Sequence, residues 1–196
     1  IEYDKLKAAS SLGATGSMMG WIPGGFPGPM LKAAGDSAFE PRESKEKFLR
    51  RLAGIYWGEK NAEKVAEAWE CFSEAWQKYP FSISVLYWGP ITRGPAYQLH
   101  LEREERLAKP YNWGYTRKRE AQPWEDQIAR WIDPFTPAQI FGSFRELAAK
   151  WQTGLDKLNA ARKTLGDEPE LDRQIAIAAA IRLQCLAAAN VYEFYN

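Results

Sequence analysis

His100 is the chain's single histidine, and Cys71 and Cys185 are its two cysteines. Around His100 the pattern Tyr97, Leu99, Leu101 supplies no second His, no Cys and no Ser–Asp arrangement. It therefore reads as a structural or surface residue rather than as a base or a metal ligand. The cysteines stand 114 positions apart in apolar, helix-patterned segments and read as buried free thiols. Glu102, Glu104 and Glu105 alternate with Arg103 and Arg106, and the Glu102–Arg106 spacing is that of a pair on a helix surface. A solvated charged face follows. Glycoside hydrolysis would need two carboxylates facing each other across a cleft, and no expected strand brings two together. The glycine-rich stretches GWIPGGFPGP and YWGPITRGP contain no phosphate-cradling motif. No catalytic residue, no metal ligand and no cofactor is expected within the chain.

Tryptophan is what the chain has instead: nine Trp beside nine Tyr and nine Phe. Trp21, Trp88, Trp113 and Trp124 lie in or beside Gly/Pro-rich segments, where an indole face suits stacking on an apolar partner or on the C–H face of a sugar. Trp21, Phe26, Trp88 and Arg93 would then surround a ligand that the glycines let approach the backbone. The simpler alternative is that Gly and Pro shape turns while these aromatics plug the ends of a helix bundle. Trp21, Trp88 and Arg93 are the candidate substrate-binding residues. Trp69, Phe72, Trp76 and Trp151 are expected in the core; Trp57 and Trp131 are left open.

The elements that must position these side chains are mostly helical. A short helix over 3–12 should stop at Gly13. From residue 13 to residue 30 the chain holds six Gly and three Pro, leaving room for one short strand at Ser17–Ile22 and otherwise loop. Residues 30–35 suit another helical turn. A helix capped by Ser44 and stopped at Gly58 should turn Phe48, Leu52, Ile55 and Tyr56 to one side. The next has Val65, Trp69, Phe72, Trp76 and Tyr79 in one stripe, with Asn61 as cap and Pro80 as terminator. FSISVLYW over 81–88 alternates and is rich in β-branched residues, which predicts a short extended piece. It leads to the steps Gly89–Pro90 and Gly94–Pro95. Helices are expected again from Pro95 to Pro110 and over WEDQIARWI, after the aromatic YNWGY and the basic Arg117, Lys118 and Arg119.

Thr136-Pro137-Ala138-Gln139 is a capping box with proline at the first helical position. Its helix should bury Ile140, Phe144, Leu147, Trp151, Leu155, Leu158 and Leu165 and end at Gly166. After a three-residue connection a second long helix should run to about Tyr195, antiparallel to the first. Its residues are apolar nearly all round, which predicts the central helix of the bundle.

Gly16-Ser17-Met18-Met19-Gly20-Trp21 followed by Gly-Gly-Phe-Pro-Gly-Pro resembles the last strand and loop of a TIM barrel in bacterial glycoside hydrolases. The run from Ala68-Trp69 to Tyr79-Pro80, then Leu86-Tyr87-Trp88-Gly89-Pro90 and Gly94-Pro95-Ala96, is similar to the helical domain that follows the barrel in hexosaminidase-like and α-glucuronidase-like proteins. The resemblance implies that residues 1–40 are a C-terminal barrel remnant and 41–196 an α-helical domain. It implies that the catalytic acids lie upstream of Ile1, that Trp21 contacts sugar, and that the rest of the parent chain and a carbohydrate are the partners. It also implies a periplasmic or secreted site if the parent degrades polysaccharide.

With 196 residues the chain can hold one good core without disulfide or metal. A formal net charge of +1, from 26 Lys+Arg against 25 Asp+Glu, gives no basic excess for nucleic acid. No uninterrupted apolar run approaches the roughly 18 residues of a membrane span. The expected fold is mainly α, a bundle of four to five helices preceded by the short strand/loop segment. Its expected function is to complete or support the carbohydrate cleft of a bacterial glycoside hydrolase without the catalytic carboxylates. A non-catalytic glycan-binding module and a helical scaffold for packing or oligomerisation are the alternatives.

Overall fold

The computed structural model describes residues 2–16, 31, 33–36, 43–87, 89–92, 99 and 132–195. These are mainly α-helical, and no strand occurs among them. In chain order the helices are α1 (Glu2–Ser11), α2 (Lys45–Trp57), α3 (Glu59–Trp76), α4 (Ile83–Tyr87), α5 (Pro137–Leu165) and α6 (Pro169–Phe194), with a 3₁₀ turn at Pro90–Thr92. Leu31 and Ala33–Asp36 are also helical. The expected strand at Ser17–Ile22 lies outside the described residues, as do the expected helices from Pro95 to Pro110 and over WEDQIARWI except for Leu99 and Ile132, neither of which is helical.

Local chemistry places the ends. Ser44 accepts the Lys47 N–H through its hydroxyl at the start of α2, and Gly58 closes that helix at φ 74°, where a side chain would be strained. At α5, Thr136 Oγ1 accepts from the Gln139 N–H at 3.3 Å and Gln139 Oε1 accepts from the Thr136 N–H at 2.8 Å. The capping box is therefore complete, with Pro137 at the first helical position. Gly166, at φ 73°, ends α5 three residues before Pro169 opens α6.

Three long helices are laid side by side. Glu67 pairs with Lys157 and Lys78 with Glu146, so α3 and α5 run in opposite directions. Arg162 grips Asp172 near one end of α5 and Arg145 meets Glu193 near the other, so α5 and α6 are antiparallel too. α5 contacts both α3 and α6 extensively and is the central helix. That corrects the expectation that α6 is central. On α6, Leu171, Ala178, Cys185, Ala188, Ala189, Val191 and Tyr192 are buried, while Ile177, Leu183 and Phe194 are about half exposed. An apolar composition all round a helix does not say how many of its sides have neighbours.

Three other expectations are corrected. Residues 83–87 form a helix rather than an extended piece, because Ser82 caps it: its Oγ accepts the Val85 N–H at 3.1 Å and its carbonyl the Leu86 N–H at 2.9 Å. Val85 is thereby turned wholly into the core. Asn61 is not a cap; α3 begins two residues earlier at Glu59, and Asn61 is buried inside it, accepting from the Thr164 hydroxyl at the far end of α5. On α2 the buried side is Phe48, Leu52, Ala53 and Trp57, with Ile55 and Tyr56 exposed. The described parts of residues 1–40 rest on this helix: the Tyr3 ring packs 5.2 Å from that of Phe48, and Ala33 joins the same cluster.

Candidate functional site

Trp21, Trp88 and Arg93 lie outside the described residues, as do Phe26, His100, Trp113, Trp124, Trp131 and the Glu102, Glu104, Glu105 cluster. The backbone between Trp88 and Arg93 is described, however, and it is built into the bundle. α4 ends with the Gly89 N–H donating to the Ser84 carbonyl at 3.0 Å. Pro90 is fully buried, and the Ile91 carbonyl accepts from the Gln184 side-chain amide of α6. A Cβ at Gly89 would sit 2.8 Å from the Val85 carbonyl oxygen and against the Tyr192 hydroxyl. Only glycine fits there, which gives the Gly-Pro step a packing reason.

The second feature is an open groove of about 570 Å³ whose walls include Tyr3, Trp69, Phe72, Trp76, Trp151 and Ile177. The α3 stripe is core in part: Val65 is buried, Trp69, Phe72 and Tyr79 pack half-buried against the core clusters, and Trp76 is largely outside them. Ala62, Val65, Ala66, Ala68 and Ala75 supply the buried side of α3; Trp69 and Phe72 are half-buried, and Trp76 is 43% exposed. Small residues let α3 approach α5 closely, and that closeness pushes the large rings to the flank. Trp76 stacks on Tyr79 at 5.0 Å and lies 6.1 Å from Trp151. Trp151 is core as expected: its ring packs 4.5 Å from Phe72, and its indole N–H donates to the Ala178 carbonyl at 2.9 Å. Trp57, left open by the sequence, is buried, edge-on to Trp69 at 5.5 Å. The alanines of α3 at 62, 66, 68 and 75 were the available signal that a helix would come close on this side.

Titratable groups in the described core are held neutral. Burial raises the Cys185 thiol to about 11 and the Tyr79 phenol to about 12, and it raises Tyr192 strongly as well. Both cysteines are free, with Cys185 buried and Cys71 half-buried. At the surface the side-chain hydrogen bond from Arg162 holds the Asp172 carboxyl below its ordinary value, and the bond to Glu67 raises the Lys157 ammonium. Among the described residues no group of three His, Cys, Asp or Glu converges to hold a metal.

α6 is long and apolar enough by composition to cross a membrane. In the bundle, ion pairs at both ends fasten it to α5. Comparison with family models, with curated proteins and with solved structures finds no match to this chain. The arrangement offers aromatic and apolar surface for binding, held on a rigid helical base.

Proposed function

We propose that this chain is a helical support region of a carbohydrate-active enzyme, completing a saccharide-binding cleft while the reaction is carried out by carboxylates elsewhere in a parent glycoside hydrolase. Trp21, Trp88 and Arg93 are the residues assigned to saccharide contact. The reading is carried by one observation: the turn directly between Trp88 and Arg93 is fastened to the bundle through Pro90, Ile91 and Gln184. A contact segment with a rigid base loses less conformational freedom on binding. The resemblance of residues 16–29 and 68–96 to a barrel end and its following helical domain supplies the substrate class.

The test is saccharide affinity of the parent protein and of its Trp21→Ala and Trp88→Ala variants. Each substitution should weaken binding about tenfold, equivalent to ~1.4 kcal/mol, with the melting temperature nearly unchanged. Loss of stability with affinity intact would make these rings packing residues and end the assignment.

A second reading, a helical packing scaffold, is favoured by the groove. Its lining, Ile177 included, is chiefly aromatic and aliphatic, and Leu183 leaves further apolar surface on α6 exposed. A surface of this kind suits another protein domain better than a sugar.

A further inference from the structure

We propose that α6 is the surface through which two copies of this chain associate, antiparallel, along a stripe made by Ala176, Ala180, Leu183, Ala187, Asn190 and Phe194. These positions follow spacings of 4, 3, 4, 3 and 4, the heptad period on which two helices wind around one another. Among the described residues α6 packs chiefly against α5 and the 3₁₀ turn. The stripe lies away from both: Ala176, Ala180 and Asn190 are exposed, Leu183 and Phe194 are 55% and 45% exposed, and Ala187 is half-buried. Mean hydropathy along α6 reaches 1.5, yet only 33% of that stretch is buried. Between Arg173 and Glu193 its one charged residue is Arg182, which lies on the buried side between Ala178 and Cys185 with its Nε enclosed. A helix that meets only water on one side ordinarily carries charge there. The sole polar member of the stripe is Asn190, whose Oδ1 accepts from Arg145 of α5 at 3.3 Å. Pairing along α6 is independent of saccharide contact at Trp21, Trp88 and Arg93.

The order of large and small side chains selects a second copy as the occupant. Laid antiparallel with Ala187 opposite Leu183 of the other copy, the two helices also set Phe194 against Ala176 and Asn190 against Ala180. Each layer then pairs a larger side chain with an alanine, and the two-fold axis repeats every pairing. Parallel pairing would stack Phe194 on Phe194 and alanine on alanine, alternating collisions with gaps. The antiparallel arrangement also opposes the helix dipoles and brings no like charges together along the stripe. A lipid surface is the poorer partner, because α6 contains no lysine and no tryptophan, whereas membrane-surface helices are rich in basic residues. The stripe is about 27 Å long at a rise of 1.5 Å per residue. One helix from each copy makes an interface of the small class, under about 1,200 Å² in total. Dimerisation at roughly 10–100 µM follows, rather than an obligate dimer.

The experiment is sedimentation velocity of the full chain from about 5 to 500 µM, a range that spans the expected constant, with melting temperature recorded for every variant. The sedimentation coefficient should rise with concentration from monomer to dimer and no further, because a two-fold contact closes on itself. Leu183→Glu puts a charge into the central layers and should weaken association about tenfold or more. Ala176→Lys and Phe194→Glu should each weaken it, and the two together should restore it. Antiparallel pairing sets the introduced lysine of one copy against the introduced glutamate of the other. That recovery cannot come from damage to the fold, and it serves if Leu183→Glu fails to fold. Ile177→Lys, in the groove beside the stripe, is the control and should associate like the wild type. A chain that stays monomeric at every concentration overturns the proposal. So does a dimer that survives Leu183→Glu but is abolished by Ile177→Lys, which assigns the contact to the groove. Failure of the double variant to recover overturns the antiparallel pairing. Binding to vesicles of phosphatidylcholine and phosphatidylglycerol that Leu183→Glu abolishes, in a chain that forms no dimer, assigns the stripe to lipid and overturns the proposal as well.

Discussion

Trp151 sits where α3, α5 and α6 meet, with Phe72 against one side of its ring and the Ala178 carbonyl taking its N–H. Trp151→Ala should cost about 3–5 kcal/mol in chemical denaturation, the range for a large-to-small change in a packed site. Close by, a Cβ at Gly154 would come 2.7 Å from Phe72 Cδ1, so Gly154→Ala should destabilise by about 1–3 kcal/mol despite alanine's better helix propensity. Pairing it with Phe72→Leu should return part of that loss. Cys185 and Tyr79 give a pH dependence. Their folded values, about 11 and about 12, lie above the ordinary 9.0 and 10.0, so the unfolded chain releases these protons first. Their contribution is complete below pH 9 and is lost as pH rises towards 11 and 12. The melting temperature should accordingly fall above pH 9, and Cys185→Ala should delay the onset of that fall. A flat profile between pH 9 and 11 would contradict the burial of these groups. None of this neutralisation was legible in the sequence beyond the apolar company of Cys185, because burial depends on neighbours distant along the chain.

At the scale of elements, helix ends follow from local residues. Thr136 and Gln139 satisfy each other's backbone groups three residues apart in the chain, and Thr136→Ala should cost about 0.5–2 kcal/mol, read as a shift in denaturation midpoint without change in slope. Ser44, Gly58 and Gly166 are equally local and were equally legible. The short α4 was not. Five residues cannot hold a helix by propensity, so its alternating Ile83, Val85 pattern suggested an extended piece. Two conditions decide it: the Ser82 cap and the seating of Val85 in the α5–α6 core. Ser82→Ala should loosen α4 and the turn after it, seen as faster amide exchange at Val85 and Gly89, while exchange in α5 stays slow.

Over the whole molecule, the groove separates the two functional readings. Ile177 is 47% exposed at its edge, and Ile177→Lys should leave stability within about ±0.5 kcal/mol. If the groove serves the saccharide cleft only as a rigid flank, the variant keeps its saccharide affinity and its assembly state in sedimentation. A loss of domain docking or self-association instead assigns the groove to packing. By itself the sequence determined the mainly helical class, the caps at Ser44 and Thr136, the stops at Gly58 and Gly166, the antiparallel order of α5 and α6 and the burial of Trp151. Each of these rests on residues within one or two helical turns, or on a connection too short to permit another arrangement. Tertiary structure alone decided that α5 rather than α6 is central, that the alanines of α3 face inward while Trp76 flanks a groove, and that Asn61 reaches Thr164 instead of capping. It alone joined Gln184 to Ile91. The physical reason is the same in each case: periodicity marks which side of a helix is apolar, but only the approach of a second helix decides which apolar side is covered and which distant polar group finds a partner.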